Sequence, residues 1–258
     1  MTGTRRSSLA PPVRIGTAGW AISAANAAAL PGDGTHLERY AMRMNCVEIN
    51  SSFYRGHRTQ TYARWADSTP EHFRFAVKLP KRITHECRMA DADELLAQFV
   101  DEAGGLGPKW AVALVQLPPG LAFDADVAGR FFGRLGEAFD GAVVCEPRHR
   151  SWFTSQADQL LARCEVARAA VDPAKWPYSE HPGGWAGAST ARRPAVFYFR
   201  WHGSPRTYWS AYDEAWLRER AQVLAQLPAH AERWCIFDNT AAGAALPNAL
   251  QLETLTTP

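Results

Sequence analysis

The chain predicts an α/β fold, a TIM-like (β/α)8 barrel with parallel strands, and three observations predict it. Short apolar runs alternate with segments of helical periodicity, the pattern of repeated βα units. Six of those runs, VEIN, FAVK, ALVQLPP, VVCEPRH, VFYFRWHG and CIFDN, end in residues that bind or do chemistry instead of turn residues. At 258 residues and 47% hydrophobic content, the chain has the length and apolar mass of one such barrel. In a parallel barrel the C-terminal ends of all strands meet at one mouth, which would give the polar endings a common place.

The elements follow in order. Val13 to Thr17 reads as the first strand, closing in Ala18-Gly19. Leu37, Tyr40, Ala41 and Met44 give a helical stripe within Thr35 to Asn45. Val47 to Asn50 is the second strand and Thr59 to Ala66 a short helix. Phe73 to Lys78 is the third strand, with an Asp-capped helix over Asp91 to Glu102. Ala111 to Leu117 is the fourth, stopped by Pro118-Pro119, before a helix over Ala125 to Phe139. Ala142 to Glu146 is the fifth, followed by a helix over Ser155 to Arg163. Val166 to Val171 is a weaker sixth strand. Ala195 to Trp201 and Trp234 to Asp238 are the seventh and eighth, with helices over Asp213 to Leu227 and Ala241 to Leu252. Residues 172–194 are rich in Pro and Gly and carry no helical stripe, so the helix after strand six is expected to be missing or irregular.

Residues 1–12 read as a disordered N-terminal tail, and 13–258 as a single domain without a linker. No apolar run approaches the roughly 20 residues of a membrane span, and no membrane partner is expected. The five cysteines form no CxxC pair, and three of them sit in apolar runs. That usage fits buried thiols in a reduced, cytoplasmic setting. A net charge of +2 is too small to imply an extended polyanion partner. GTAGW lacks the third Gly of a dinucleotide fingerprint, and neither a P-loop nor a GxSxG elbow occurs. No nucleotide cofactor is therefore indicated, the cofactor stays unknown, and the oligomeric state is not readable.

Strand side chains alternate in direction, so Glu48 pairs with Asn50, Arg200 with His202, Lys78 with Ala76, and Gln116 with Leu114. An inward charge is tolerable near the mouth, where solvent or a ligand meets it, and costly at mid-strand. Glu48, Lys78, Glu146 and His202 are the candidate catalytic residues. Trp20, Asn50, Tyr54, His85, Gln116, Arg148, Arg200, Asp238 and Asn239 are the candidate substrate-binding residues. The competing reading makes Glu48 and Glu146 structural ion-pair partners of Arg200, Arg148 or Lys78. Replacement of Glu48, Lys78 or Arg200 by Ala is expected to leave folding intact if the set is functional.

The motifs GTAGW, VEINSSFYR, RW with TPEHFRFAVKLPKRITH, LVQLPP, EPRHRSW, FRWHG and a late FDN run in order from about residue 14 to residue 250. In them the chain resembles the YecE-like family, also called domain of unknown function 72. The resemblance implies a barrel similar to TIM barrels and a site at these motifs, and it carries no reaction. At Asp238 the chain departs from the family, which more often shows a second Asn there.

Three functional classes fit. The first is an enzyme acting on a small anionic molecule, phosphorylated or carboxylated. There Lys78, Arg148 and Arg200 would supply positive charge, Glu48 or Glu146 a base, and His202 or His85 an acid. Lys78 is alternatively a Schiff-base nucleophile or an ion-pair partner of Glu48 or Glu146. The second is a nucleotide or single-stranded nucleic-acid binding module using aromatics beside Arg55, Arg58, Arg150 and Arg206. The third is a metal-dependent barrel hydrolase or isomerase. Its first strand lacks an HxH pair, and cations crowd the same mouth, so no metal ligands are assigned. The first class is favoured.

Overall fold

The computed structural model describes residues 12–187 and 192–257, so the expected tail over residues 1–11 lies outside the described residues. Among the described residues there are ten strands: β1 Val13–Thr17, β2 Cys46–Ile49, β3 Arg74–Lys78, β4 Trp110–Gln116, β5 Ala142–Glu146, β6 Val166–Arg168, β7 Ala170–Asp172, β8 Gly183–Gly184, β9 Val196–Trp201 and β10 Glu232–Phe237. The helices are α1 His36–Ala41, α2 Thr59–Asp67, α3 Asp93–Ala103, α4 Ala125–Ala138, α5 Ser155–Arg163, α6 Glu214–Gln226 and α7 Ala245–Thr256.

Hydrogen bonding orders the strands into a four-stranded sheet, β1-β10-β9-β7, and a six-stranded one, β2-β3-β4-β5-β6-β8. Every pairing is parallel except β6 with β8. The fold is thus α/β with parallel sheets, whereas the expected single closed ladder is replaced by two. They meet at two seams. At one, Ala18 bridges to Glu48, and Gly19 N–H donates to the Glu48 carbonyl at 2.8 Å. At the other, the expected sixth strand divides at Ala169. Residues before it pair with β5, residues after it pair with β9, and Ala169 N–H reaches the Cys145 carbonyl at 2.8 Å.

The β1–β2 seam is unusually close lower down. A Cβ on Gly16 would sit 2.2 Å from the Cys46 carbonyl oxygen, so only glycine fits. Tyr40 of α1 fills in for missing ladder bonds there. Its hydroxyl accepts from Thr17 N–H at 2.9 Å and donates to the Cys46 carbonyl at 3.1 Å.

Strand parity divides the core as the period of two requires. Cys46, Ala76, Leu114, Val144, Tyr198, Trp234 and Ile236 form one buried cluster inside the strands. Val47, Ile49, Val77, Val115, Phe199 and Phe237 form the other with the helices. Tyr198 and Trp234 stack at 5.9 Å, filling the inner layer with flat area.

Helix ends follow capping chemistry. Thr35 and Glu38 make a reciprocal capping box on α1, while Asp124, Thr154 and Asp213 cap α4, α5 and α6. Two expectations are corrected. α1 stops at Ala41, short of Asn45, whose side chain binds the β1 backbone instead. α3 begins at Asp93, so the cap position falls on Ala92, which has no side-chain acceptor, while Asp91 lies one residue too early and sits at φ 47°. The described part of 173–187 holds no α-helix, as expected. Gly183–Gly184 pairs with β6, and Trp176 Nε1 donates to the Arg148 carbonyl at 3.0 Å. Among the described residues no helix is long and apolar enough to cross a membrane.

Candidate functional site

The strand ends are organised by Arg200 on β9, which is fully buried. Its Nε donates to Glu48 Oε2 at 2.9 Å and its Nη2 to Glu48 Oε1 at 2.7 Å, a bidentate pair. Nη2 also reaches Asp238 Oδ2 at 2.9 Å, and Nη1 donates to Glu146. Tyr198, two residues before Arg200 on the same face, donates its hydroxyl to Glu48 at 3.0 Å. Burial disfavours the charged guanidinium, but Glu146, Glu48 and Asp238 outweigh it and hold Arg200 firmly protonated.

His202 extends this network toward solvent. Its Nδ1 lies 3.0 Å from Asp238 Oδ2 and its Nε2 lies 3.2 Å from Arg148 Nη2. A guanidinium only donates, so Nε2 accepts and the ring proton sits on Nδ1, facing the carboxylate. Arg148 also donates to Glu146, and its side chain keeps 25% exposure. Burial raises the carboxyl of Glu146, yet Arg148 and Arg200 overcome that and hold it well below the usual carboxylate range. Asp238 is likewise lowered, by Arg200, His202 and Lys78 against burial.

Lys78 is the exception. It is 7% exposed and ends β3 on the inner face. The expected ion pair to Glu48 or Glu146 is not formed, because Arg200 and Arg148 already occupy those carboxylates. Among the described residues its Nζ has no ion pair or hydrogen bond, and it lies 4.1 Å from the Phe53 ring centroid. Nor is Nζ among the polar atoms sealed from solvent. Burial, then the charge of Arg200, depress its pKa to about 8, against the opposing pull of Glu48, Glu146 and Asp238.

That depression has a sign for stability. The fold disfavours the ammonium, so Lys78 costs stability below about pH 8, and the cost fades as pH rises toward the ordinary 10.5. Lys78→Met is therefore expected to raise unfolding free energy at pH 7 by about 1–3 kcal/mol. Urea titrations at pH 7 and pH 10 check it: the gain shrinks at the higher pH.

The remaining expected residues divide. His85 stands edge-on to Phe53 at 5.0 Å and bonds Thr84 through Nδ1 at 2.8 Å. Burial, then Lys78, Lys81 and Arg148, lower its pKa and keep it neutral. Gln116 ends β4 half-buried, with its amide on the Leu117 carbonyl. Asn50 opens the turn after β2, and its Oδ1 is buried without a partner. Three others stand apart from the charged cluster. Tyr54 is 81% exposed, on a groove of about 510 Å³ lined by Phe53, Arg55, Lys81, Arg82 and Glu102. Trp20 packs edge-on against Trp65 at 5.0 Å. Asn239 turns to the Ser210 carbonyl and Asn248 of α7, as its odd parity beside Asp238 requires. Sequence reasoning passed over Tyr198, although parity with Arg200 marks it as inward. Among the described residues no group of three His, Cys, Asp or Glu is placed to hold a metal ion.

Comparison with known proteins bears on the fold and the family. The chain is 34% identical over 131 residues to UPF0759 protein YecE of Escherichia coli K12, covering 50% of this chain and 47% of that one. It is 28% identical over 150 residues to UPF0759 protein YunF of Bacillus subtilis, covering 55% and 52%. These alignments span about half the length of the curated relatives. A solved DUF72 family protein of Enterococcus faecalis matches with TM-score 0.75 at 21% identity, covering 95% of each chain. One from Thermotoga maritima matches with TM-score 0.73 at 21% identity, covering 95% of this chain and 99% of that one. A sugar phosphate isomerase/epimerase from Parabacteroides distasonis matches at TM-score 0.54 with 11% identity, covering 98% and 96%, a likeness of fold alone. The family model described as "Protein of unknown function DUF72" matches residues 14–258, and the chain belongs to that family.

Proposed function

We propose that the chain is a cytoplasmic enzyme acting by acid–base chemistry on a small phosphorylated or carboxylated molecule, at the C-terminal strand ends of a TIM-like barrel. The two seams support the barrel, since they join the ladders into one cyclic order of strands. One observation supports the function most: among the described residues Lys78 is a buried cation whose Nζ makes no direct ion pair or hydrogen bond, within reach of solvent. An incoming anion pairs directly with this uncommitted Nζ and with the exposed edge of Arg148.

The geometry redistributes the chemical roles. Glu146 and Asp238 are held ionised by guanidinium groups and are poor proton carriers near neutral pH. Lys78, near 8, is matched to that range. His202 keeps Nε2 free of a proton, so a ligand that draws Arg148 away releases it as a base, with Asp238 fixing the ring. Isothermal titration with phosphate monoesters, short carboxylates and their neutral analogues checks the reading. Wild type is expected to bind the anions about tenfold or more tightly than Lys78→Met, each tenfold being about 1.4 kcal/mol. Equal binding of neutral analogues would overturn the anion pocket.

A second reading rests on exposed aromatics. Tyr208 and Trp209 are 41% and 45% exposed in the loop after β9, with Arg206 4.3 Å over the Trp209 ring. Such rings stack bases in single-strand binders, whose affinity falls steeply with salt. Retention of oligothymidylate at low salt, lost in Trp209→Ala, would favour it.

A further inference from the structure

We propose that Lys78 is a covalent amine nucleophile and that the substrate class is an anionic aldehyde or ketone, held as a Schiff base on Nζ. This rests on the anion-pocket reading above and names its substrate more narrowly.

An amine that attacks a carbonyl has to be unprotonated, close to solvent and uncommitted. A lysine in an ion pair is held protonated and committed, and here the three carboxylates in range are spoken for. Glu48 is bound by Arg200 and Tyr198, Glu146 by Arg200 and Arg148, and Asp238 by Arg200 and His202. Nζ is left over the Phe53 ring, which His85 meets edge-on. A pKa near 8 leaves a working fraction of free amine at neutral pH.

The chemistry balances. The neutral amine adds to the carbonyl carbon, and the carbonyl oxygen leaves as water, taking both amine hydrogens. One proton from solvent then gives the iminium. That cation replaces the ammonium, so the site keeps its three positive groups, Arg148, Arg200 and the Lys78 nitrogen, against Glu48, Glu146 and Asp238. Burial penalises a compact ammonium more than a larger, delocalised iminium. The Phe53 ring face suits either cation.

The chain has only four lysines, Lys78, Lys81, Lys109 and Lys175, so trapping is easy to map. Lys109 donates to the Ala66 and Thr69 carbonyls, Lys175 lies by Trp176, and Lys81 is exposed. The full chain is incubated with glyoxylate or dihydroxyacetone phosphate and sodium cyanoborohydride at pH 7, then digested for peptide mass spectrometry. Reduced adduct is expected at Lys78 in about tenfold or greater excess over Lys81, given how far its pKa sits below an ordinary lysine. Lys78→Arg is expected to keep the fold and lose that adduct. Glycolate and glycerol phosphate, which lack an aldehyde or ketone carbonyl, are titrated in parallel. Anion binding without a Lys78-selective adduct overturns the nucleophile and leaves the pocket standing. Absence of both overturns the two together.

Discussion

Arg200→Met lowers the unfolding free energy by about 3–5 kcal/mol, because it leaves three carboxylates in a buried site with their shared counter-ion gone. Glu48 and Glu146 are fully buried and Asp238 is 5% exposed, so water cannot replace the guanidinium. Urea unfolding at pH 7 measures the loss. Acidification discriminates further. In wild type the lowered carboxyls of Glu146 and Asp238 contribute stability above their unfolded pKa values, and this is lost as pH falls through their folded ones. Without Arg200 those folded values rise, so the variant loses less stability on going from pH 7 to pH 4 than wild type does. Equal stability of wild type and Arg200→Met at pH 7 would falsify the role of Arg200 as hub. The expectation that alanine at Glu48 or Arg200 leaves folding intact is revised by this burial, whereas Lys78 keeps it.

Gly16→Ala is expected to destabilise at the upper end of the about 1–3 kcal/mol typical of overpacking. The added methyl meets a backbone carbonyl of the neighbouring strand, which has no rotamer to change. For a chain of this size that is a fall of roughly 6–12 °C in Tm. Differential scanning calorimetry reads it, and Gly120→Ala, where a Cβ meets nothing within 4 Å, serves as the control. Equal Tm values for the two variants would sink the close-seam account.

Much of the site was legible because strand parity is a local rule. Glu48, Lys78, Glu146, Arg200, His202 and Asp238 all carry inward parity, and the structure brings them to one end of the strands. The same rule, applied one residue further, separates Asn239 from Asp238. Partner choice was not legible. Arg200 and Lys78 are both cations at strand ends, and only inter-strand register puts the former between Glu48 and Glu146 and leaves the latter over Phe53. The division of the sixth strand at Ala169 was equally hidden, since AR and AV on either side read as one apolar run. The α3 cap failed for a different reason: an Asp caps only when the helix starts directly after it, and here the start at Asp93 puts Ala92 in the cap position.

The two-sheet arrangement has a mechanical meaning for the charged cluster. Tyr198, Arg200 and Asp238 travel with the four-stranded sheet, while Glu48, Glu146 and Arg148 travel with the six-stranded one. The ionic contacts are rivets across the joint, placed where few backbone bonds span it. Arg148 and Glu146 belong to the same sheet, so a ligand recruiting Arg148 as proposed above leaves the Arg200 rivets to Glu48 and Glu146 in place. Binding of an anion as proposed is expected to slow amide exchange at Ala18, Gly19 and Ala169, the seam amides that lie beside Glu48 and Glu146.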